Sequence, residues 1–214
     1  MKRRWALVGV LIGLLCGCSS MYFAGMEKLG VHKREIMVDR VQAARDTQSE
    51  AKKQFLTAME QFKSVVNVSG GDLEQKYEKL NATLQKSERE AASVRSRIKS
   101  VEEVSDALFS EWSEEIKQYS SETLKKASQR KYDLAKAKYA ELLKAMKKAE
   151  ARLEPALVPL RDQVLFMKHN LNAKAIAGLS DEVVSVQTNV DSLVREMESA
   201  ISAADKFIAA LQEE

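Results

Sequence analysis

The fold of this chain is decided by residues 37–65, MVDRVQAARDTQSEAKKQFLTAMEQFKSV. Their apolar residues follow one another at alternating steps of four and three, and one polar residue takes a place in the series. A repeat that averages 3.5 residues keeps one stripe of a helix facing a partner helix along a left-handed supercoil. The spacing therefore predicts a long helix with its packed stripe at Met37, Val41, Ala44, Gln48, Ala51, Phe55, Ala58, Phe62 and Val65.

The same heptad spacing returns in three later stretches, and no alternating strand pattern competes with it. It predicts stripes at Leu73, Tyr77, Leu80, Leu84, Ser87, Ala91, Val94, Ile98, Val101, Ser105, Leu108 and Trp112; at Ala135, Tyr139, Leu142, Met146, Ala149 and Leu153; and at Val183, Val186, Val190, Leu193, Met197, Ala200, Ala204, Phe207 and Leu211. Short connections make sequential helices antiparallel. We therefore expect an all-α fold, an elongated antiparallel bundle of three to four helices.

The helix boundaries carry signals of unequal strength. The strongest is Ser69-Gly70-Gly71-Asp72, because the two glycines permit a turn and Asp72 can cap the next helix. In 178–182, GLSDE, we expect a glycine C-cap and a serine N-cap. The weakest is 119–122, YSSE, where we place the next boundary because either serine can act as an N-cap, although nothing there forbids a continuous helix. Pro155 and Pro159 predict a kink or a restart near residue 154.

The N-terminus, MKRRWALVGVLIGLLCGCSS (1–20), has a basic start followed by a short apolar run, as a secretory signal does. The run ends in Leu15-Cys16-Gly17-Cys18, which resembles the lipobox of bacterial lipoproteins. The resemblance implies that Cys18 receives diacylglycerol on its thiol and a palmitate-type acyl chain on its new amine after cleavage. Residues 1–17 are then the cleaved signal peptide, 18–34 the lipidated tether and 35–214 one helical domain. Ser19 is not the aspartate that retains many lipoproteins in the inner membrane, so the expected location is the outer membrane, facing the periplasm.

Charge and cysteine content exclude several classes of function. The net charge of +3 comes from Lys2, Arg3 and Arg4 of the leader, so the mature chain has 31 basic and 31 acidic residues, interspersed along the chain. Nucleic-acid binding needs a coherent basic face, which is missing. Both cysteines lie at the cleavage site, and the two histidines lack the spacing of a metal motif. We therefore expect no cofactor, no metal site, no small-molecule substrate and no catalytic residue.

Four stretches together resemble a family of Gram-negative envelope lipoproteins catalogued as domain of unknown function 2959. They are MEKLGVHKREIMVDRV (26–41), GGDLEQKYEKLN (70–81), ALFSEW (107–112) and RDQVLFMKHNLNAKAI (161–176). The resemblance covers nearly the whole mature chain and implies kinship and a lipoprotein. It carries no catalytic or binding residue with it.

Residues 161–176 depart most from a plain coiled coil, because four large apolar residues stand in a row. Such a run is either core covered on more than one side or a partner-binding patch with polar edges. The candidate patch is Val164, Leu165, Phe166, Met167, Lys168, His169 and Asn170. The run favours the core interpretation, in which Phe166 is buried. A second dense cluster, Leu108, Phe109, Trp112, Ile116 and Tyr119, also favours core packing, and 32–34, HKR, is either a solvated helix start or a contact for anionic head groups.

Two functions without chemistry follow from these features. The first is a periplasm-facing scaffold, spacer or adaptor, held to the membrane by its N-terminal lipid, that acts through a protein partner or self-association. The alternative is an accessory subunit of an envelope export or efflux assembly, in which helical hairpins dock end to end. An enzyme such as a glycan hydrolase needs two carboxylates facing a cleft, whereas the acidic residues here are expected on solvated helix faces.

Overall fold

The structure, a computed structural model, describes residues 32–66, 73–170 and 178–212. Within these ranges the chain forms four long α-helices and one 3-10 turn, and it forms no strand. The elements are α1 (Lys33–Val66), α2 (Leu73–Gln118), α3 (Glu122–His169), the 3-10 turn (Gly178–Asp181) and α4 (Glu182–Gln212). At 1.5 Å per residue, α2 and α3 are each about 70 Å long. The predicted all-α bundle is confirmed.

The helices pack in a ring, in which α1 and α3 each contact both α2 and α4. Ion pairs between helices show whether two neighbouring helices run parallel or antiparallel. Between α1 and α4, Arg45 pairs with Asp205 at 2.9 Å and Lys52 pairs with Glu198 at 3.2 Å. One partner number rises as the other falls, so these helices are antiparallel. The pairs between α2 and α3 show that these helices are antiparallel as well: Glu88–Arg161, Arg95–Glu154 and Glu102–Lys147.

One hydrophobic core runs through all four helices, and the predicted stripes form its centre. All nine stripe residues of α1 are buried. The stripes of the other helices are buried along most of their lengths, and Leu73, Tyr77, Trp112, Tyr139 and Val183 are the partly buried members packed against the core.

The core is wider than the heptad stripes, because each helix of a ring faces two neighbours. Residues beside the stripe are therefore buried as well. They include Ile36, Met59, Val104, Phe109, Ala156, Leu157, Leu160 and Ile208.

The weakest sequence signal marks a true break between helices. α2 ends at Gln118, and Ser121 is the N-cap of α3, accepting a hydrogen bond from the backbone N–H of Leu124 at 3.4 Å. The Ser69–Asp72 turn lies outside the described residues. Gly178 opens a 3-10 turn that includes Ser180, so α4 begins at Glu182, later than a cap at Ser180 requires.

Pro155 and Pro159 do not divide α3, which is continuous from Glu122 to His169. Each proline removes one N–H from the helix and leaves the carbonyl four residues earlier without its usual donor. Those carbonyls belong to Ala151 and Pro155, and both residues lie on the exposed face. Water can therefore hydrogen-bond them, which explains why the helix does not restart near residue 154. The kink, the other expectation for these prolines, stays a prediction.

The bundle has two different ends. At the proximal end, where α1 begins and α4 ends, Lys33 pairs with Glu111 of α2 at 2.8 Å. Beyond that level α2 and α3 continue as a pair of helices, whose residues 113–131 we call the hairpin tip. At the distal end α1 finishes, α4 begins and α3 reaches His169.

Candidate functional site

The expected lipidation site, Cys18, lies outside the described residues, and so does most of the expected tether, 18–34. α1 begins at Lys33, inside the last residues assigned to that tether. Among the described helices, none combines the length and the apolarity needed to cross a membrane.

The structure divides the apolar run at the distal end of α3. Val164 and Met167 are buried, whereas Leu165 and Phe166 are 59% and 42% exposed. A helix turns 100° per residue, so four consecutive residues cannot all face the two neighbours of α3. The expectation that Phe166 is buried in the core is wrong, and the exposed pair remains as a small apolar patch.

The polar residues that follow the run have two different roles. Asn170 ends the helix, because its N–H donates to the carbonyl of Met167 at 3.1 Å and its Nδ2 donates to the carbonyl of Phe166 at 2.9 Å. Lys168 and His169 are exposed. The outward surface of the candidate patch therefore consists of Leu165, Phe166, Lys168 and His169, which we call the distal patch.

The second dense cluster is mostly core, as the sequence favours. Leu108, Phe109 and Ile116 are buried, Trp112 is half-buried, and Tyr119 is exposed. The aromatic rings pack edge to face across α2 and α3. The Phe109 and Tyr132 rings lie 5.7 Å apart at 88°, and the Trp112 and Tyr132 rings lie 5.7 Å apart at 85°. Such geometry is favourable for aromatic pairs.

A groove of about 420 Å³ lies beside this cluster at the proximal end. Its floor includes Trp112, whose Nε1 donates to Ser128 Oγ at 3.0 Å and whose ring lies 5.4 Å from the Arg34 guanidinium carbon. The groove is also lined by His32, Lys33 and Arg34 at the start of α1 and by Tyr119 and Leu124 of the hairpin tip. The sequence singles out both groups of residues, but it does not reveal that α1 and the hairpin bring them together.

The ionisable groups with shifted pKa values are held in their usual charge states. Hydrogen bonds from Arg161, and then from Arg95, lower the pKa of the Glu154 carboxyl despite partial desolvation. Burial raises the pKa of the Tyr139 phenol above its ordinary value, against the effect of a hydrogen bond with Ser105. A general acid or base works best with a pKa near the ambient pH, and both shifts lead away from neutrality. Within the described residues, no three His, Cys, Asp or Glu side chains are placed to hold a metal ion.

Comparison with known families finds a match that covers nearly the whole of the four helices. Residues 22–211 match the sequence model of a family described as a protein of unknown function, DUF2959. Comparison with curated proteins gives no match. The family resemblance inferred from the four sequence stretches is thereby confirmed.

Proposed function

The chain belongs to the DUF2959 family of proteins of unknown function, and we propose that it is a non-enzymatic lipoprotein of the Gram-negative envelope. Its lipid on Cys18 holds it in the outer membrane, and its helical bundle faces the periplasm. There it acts as a scaffold, spacer or adaptor through protein–protein contacts. The leader, the lipobox-like LCGC at 15–18 and Ser19 support the anchor and the location.

The observation that carries the spacer role is the length of the single core. Two of the helices are about 70 Å long, and one continuous set of buried residues joins all four. The chain enters the bundle at the proximal end, at His32, so a lipid at Cys18 holds that end near the membrane. The distal patch then lies far from the anchor, at the other end of α3.

The surface charges support a role without chemistry. Carboxylates take part in ion pairs between neighbouring helices, such as Glu154 of α3 with Arg95 of α2. Glu154 also pairs with Arg161 on α3 itself. The pKa of Glu154 is lowered by these pairs, which keeps the carboxyl ionised. Such a group stabilises the bundle and is a poor proton donor near neutral pH.

The partner role is tested by crosslinking the native lipidated protein in intact envelopes and identifying what is captured. The double variant Leu165→Glu, Phe166→Glu places two charges on the distal patch. We expect it to lose the captured partner while the protein keeps its abundance. The matched control is Leu56→Glu, Leu134→Glu, because both leucines are also exposed, at 39% and 54%, and lie outside the patch.

The result that contradicts the proposal is equal capture by both double variants and the unchanged protein, because the distal patch then plays no part in binding. Separation of the two membranes on a density gradient tests the location. Recovery of the native protein with the inner membrane contradicts the outer-membrane assignment.

A further inference from the structure

The hairpin tip is the part of the described bundle that projects farthest at the proximal end. α1 begins beside Glu111, with Lys33 Nζ 2.8 Å from its carboxylate. Past Trp112, α2 runs on to Gln118 and α3 starts at Glu122. At 1.5 Å per residue, this continuation carries the tip roughly 10 Å beyond the start of α1.

The tip differs in charge from the rest of the mature chain. Its residues 113–131 have five basic side chains against three acidic ones, whereas the mature chain has equal numbers of each sign. The basic residues are Lys117, Lys125, Lys126, Arg130 and Lys131; the acidic residues are Glu114, Glu115 and Glu122. At the apex two large apolar side chains that line the groove are also exposed, Tyr119 at 41% and Leu124 at 56%. Apolar and aromatic tips with basic residues behind them suit a membrane–water interface.

The length of the tether limits how far the tip can lie from the membrane. Fourteen residue steps separate Cys18 from His32, and a fully extended chain of that length spans at most about 50 Å. A lipid at Cys18 therefore holds the proximal end within that distance of the bilayer, with the tip as its leading part. Each basic residue close to an anionic bilayer adds attraction that falls off within a Debye length.

We propose that the hairpin tip contacts the anionic phospholipid surface, with Tyr119 and Leu124 at the head-group level and Lys125, Lys126 and Arg130 on the phosphates. The proposal rests on the lipid anchor of the proposed function. The tip gives the bundle a second membrane contact beside the lipid, and two contacts restrict how the bundle tilts. The distal patch is thereby kept on the side of the bundle that faces away from the membrane.

The test uses single introduced cysteines, because lipidation leaves the mature chain without a free thiol: Cys16 leaves with the leader and Cys18 is acylated. Leu124→Cys reports on the tip, and Leu165→Cys is the matched control at the distal end, since the two leucines are 56% and 59% exposed. Each lipidated variant receives a fluorophore and is reconstituted in vesicles of phosphatidylethanolamine and phosphatidylglycerol that contain a head-group quencher. We expect several-fold stronger quenching at residue 124 than at residue 165. Equal quenching at the two positions overturns the proposal.

Charge reversal tests the basic residues in the same assay. With Lys125→Glu, Lys126→Glu and Arg130→Glu added, quenching at residue 124 should fall to the level of residue 165. The control reversal, Lys79→Glu, Lys86→Glu and Arg89→Glu, changes three exposed residues in the distal half of α2 and should leave quenching unchanged. Quenching that survives charge reversal at the tip contradicts the electrostatic contact. A fluorophore at residue 124 that is shielded from water but is not quenched by the head-group quencher contradicts it as well.

Flotation of the same preparations with the vesicles distinguishes failure of the tip contact from failure of the lipid anchor. Protein that fails to float with the vesicles contradicts the lipid anchor. Protein that floats but keeps residue 124 unquenched contradicts the tip contact alone.

Discussion

Among single residues, Gln48 is the one polar member of the α1 stripe. It lies in the α1 stripe and is fully buried, and its Nε2 and Oε1 have no hydrogen-bond partner among the described residues. Gln54 contrasts with it, because its Nε2 donates to the carbonyl of Thr83 at 3.1 Å and to Ser87 Oγ at 3.3 Å. A buried polar group without a partner costs about 1–3 kcal/mol.

We predict that Gln48→Met raises the free energy of unfolding by about 1–3 kcal/mol, because methionine has a similar shape and no amide to satisfy. Gln54→Met is the control and should be neutral or lower stability, because that amide is satisfied in the native protein. Urea denaturation followed by circular dichroism measures both. A loss of stability in Gln48→Met means that the native amide is hydrogen-bonded after all.

Two phenylalanines test the division between core and patch. Phe55 is fully buried and Phe166 is 42% exposed. Phe55→Ala should leave a cavity and cost about 3–5 kcal/mol, whereas Phe166→Ala should cost less than about 1 kcal/mol. The same Phe166→Ala protein should lose the partner captured by crosslinking. A large loss of stability in Phe166→Ala contradicts the exposed placement.

At the scale of elements, the heptad spacing predicts which stripe of each helix is buried but not how wide the buried face is. The width depends on how many neighbours a helix has, and the sequence leaves three or four helices open. Residues such as Val104 and Leu160 are buried because the ring gives every helix two neighbours. For the same reason, the sequence alone does not determine which residues of Val164–Met167 are buried in the core and which are exposed. The hairpin tip and the groove exist only because the chain breaks between α2 and α3. In the sequence, the two serines at 120 and 121 are the only indication of that break, and they are a weak one.

Pro155 lies in the exposed face of an uninterrupted helix, and this placement leads to a prediction. Proline is less favourable than alanine inside a helix by about 3 kcal/mol. Because the helix is continuous and alanine restores the N–H that the carbonyl of Ala151 lacks, we predict that Pro155→Ala raises the free energy of unfolding by about 1–3 kcal/mol, measured by urea denaturation. An unchanged or lowered value contradicts a continuous α3 and supports a functional kink at this position.

As a whole molecule, the protein is an elongated bundle whose two longest helices are each about 70 Å long. A compact protein of this size has a radius of gyration of roughly 16 Å. If the length of α3 is taken from the helix rise, a rod of that length and as wide as four packed helices has a radius of gyration of about 23 Å. We predict a value close to the second figure for residues 19–214 in solution scattering. A value near the first indicates folding of the bundle onto itself.

The central claim is that a lipid at the proximal end holds a long helical bundle whose distal patch faces away from the membrane. Family membership and the four-helix ring are established, whereas the anchor remains a proposal. Mass spectrometry of the native protein's N-terminal peptide tests it most directly. We predict a peptide that begins at Cys18 and has the added mass of a diacylglycerol and an acyl chain. An unmodified Cys18, or a mature chain that begins at another residue, contradicts the claim.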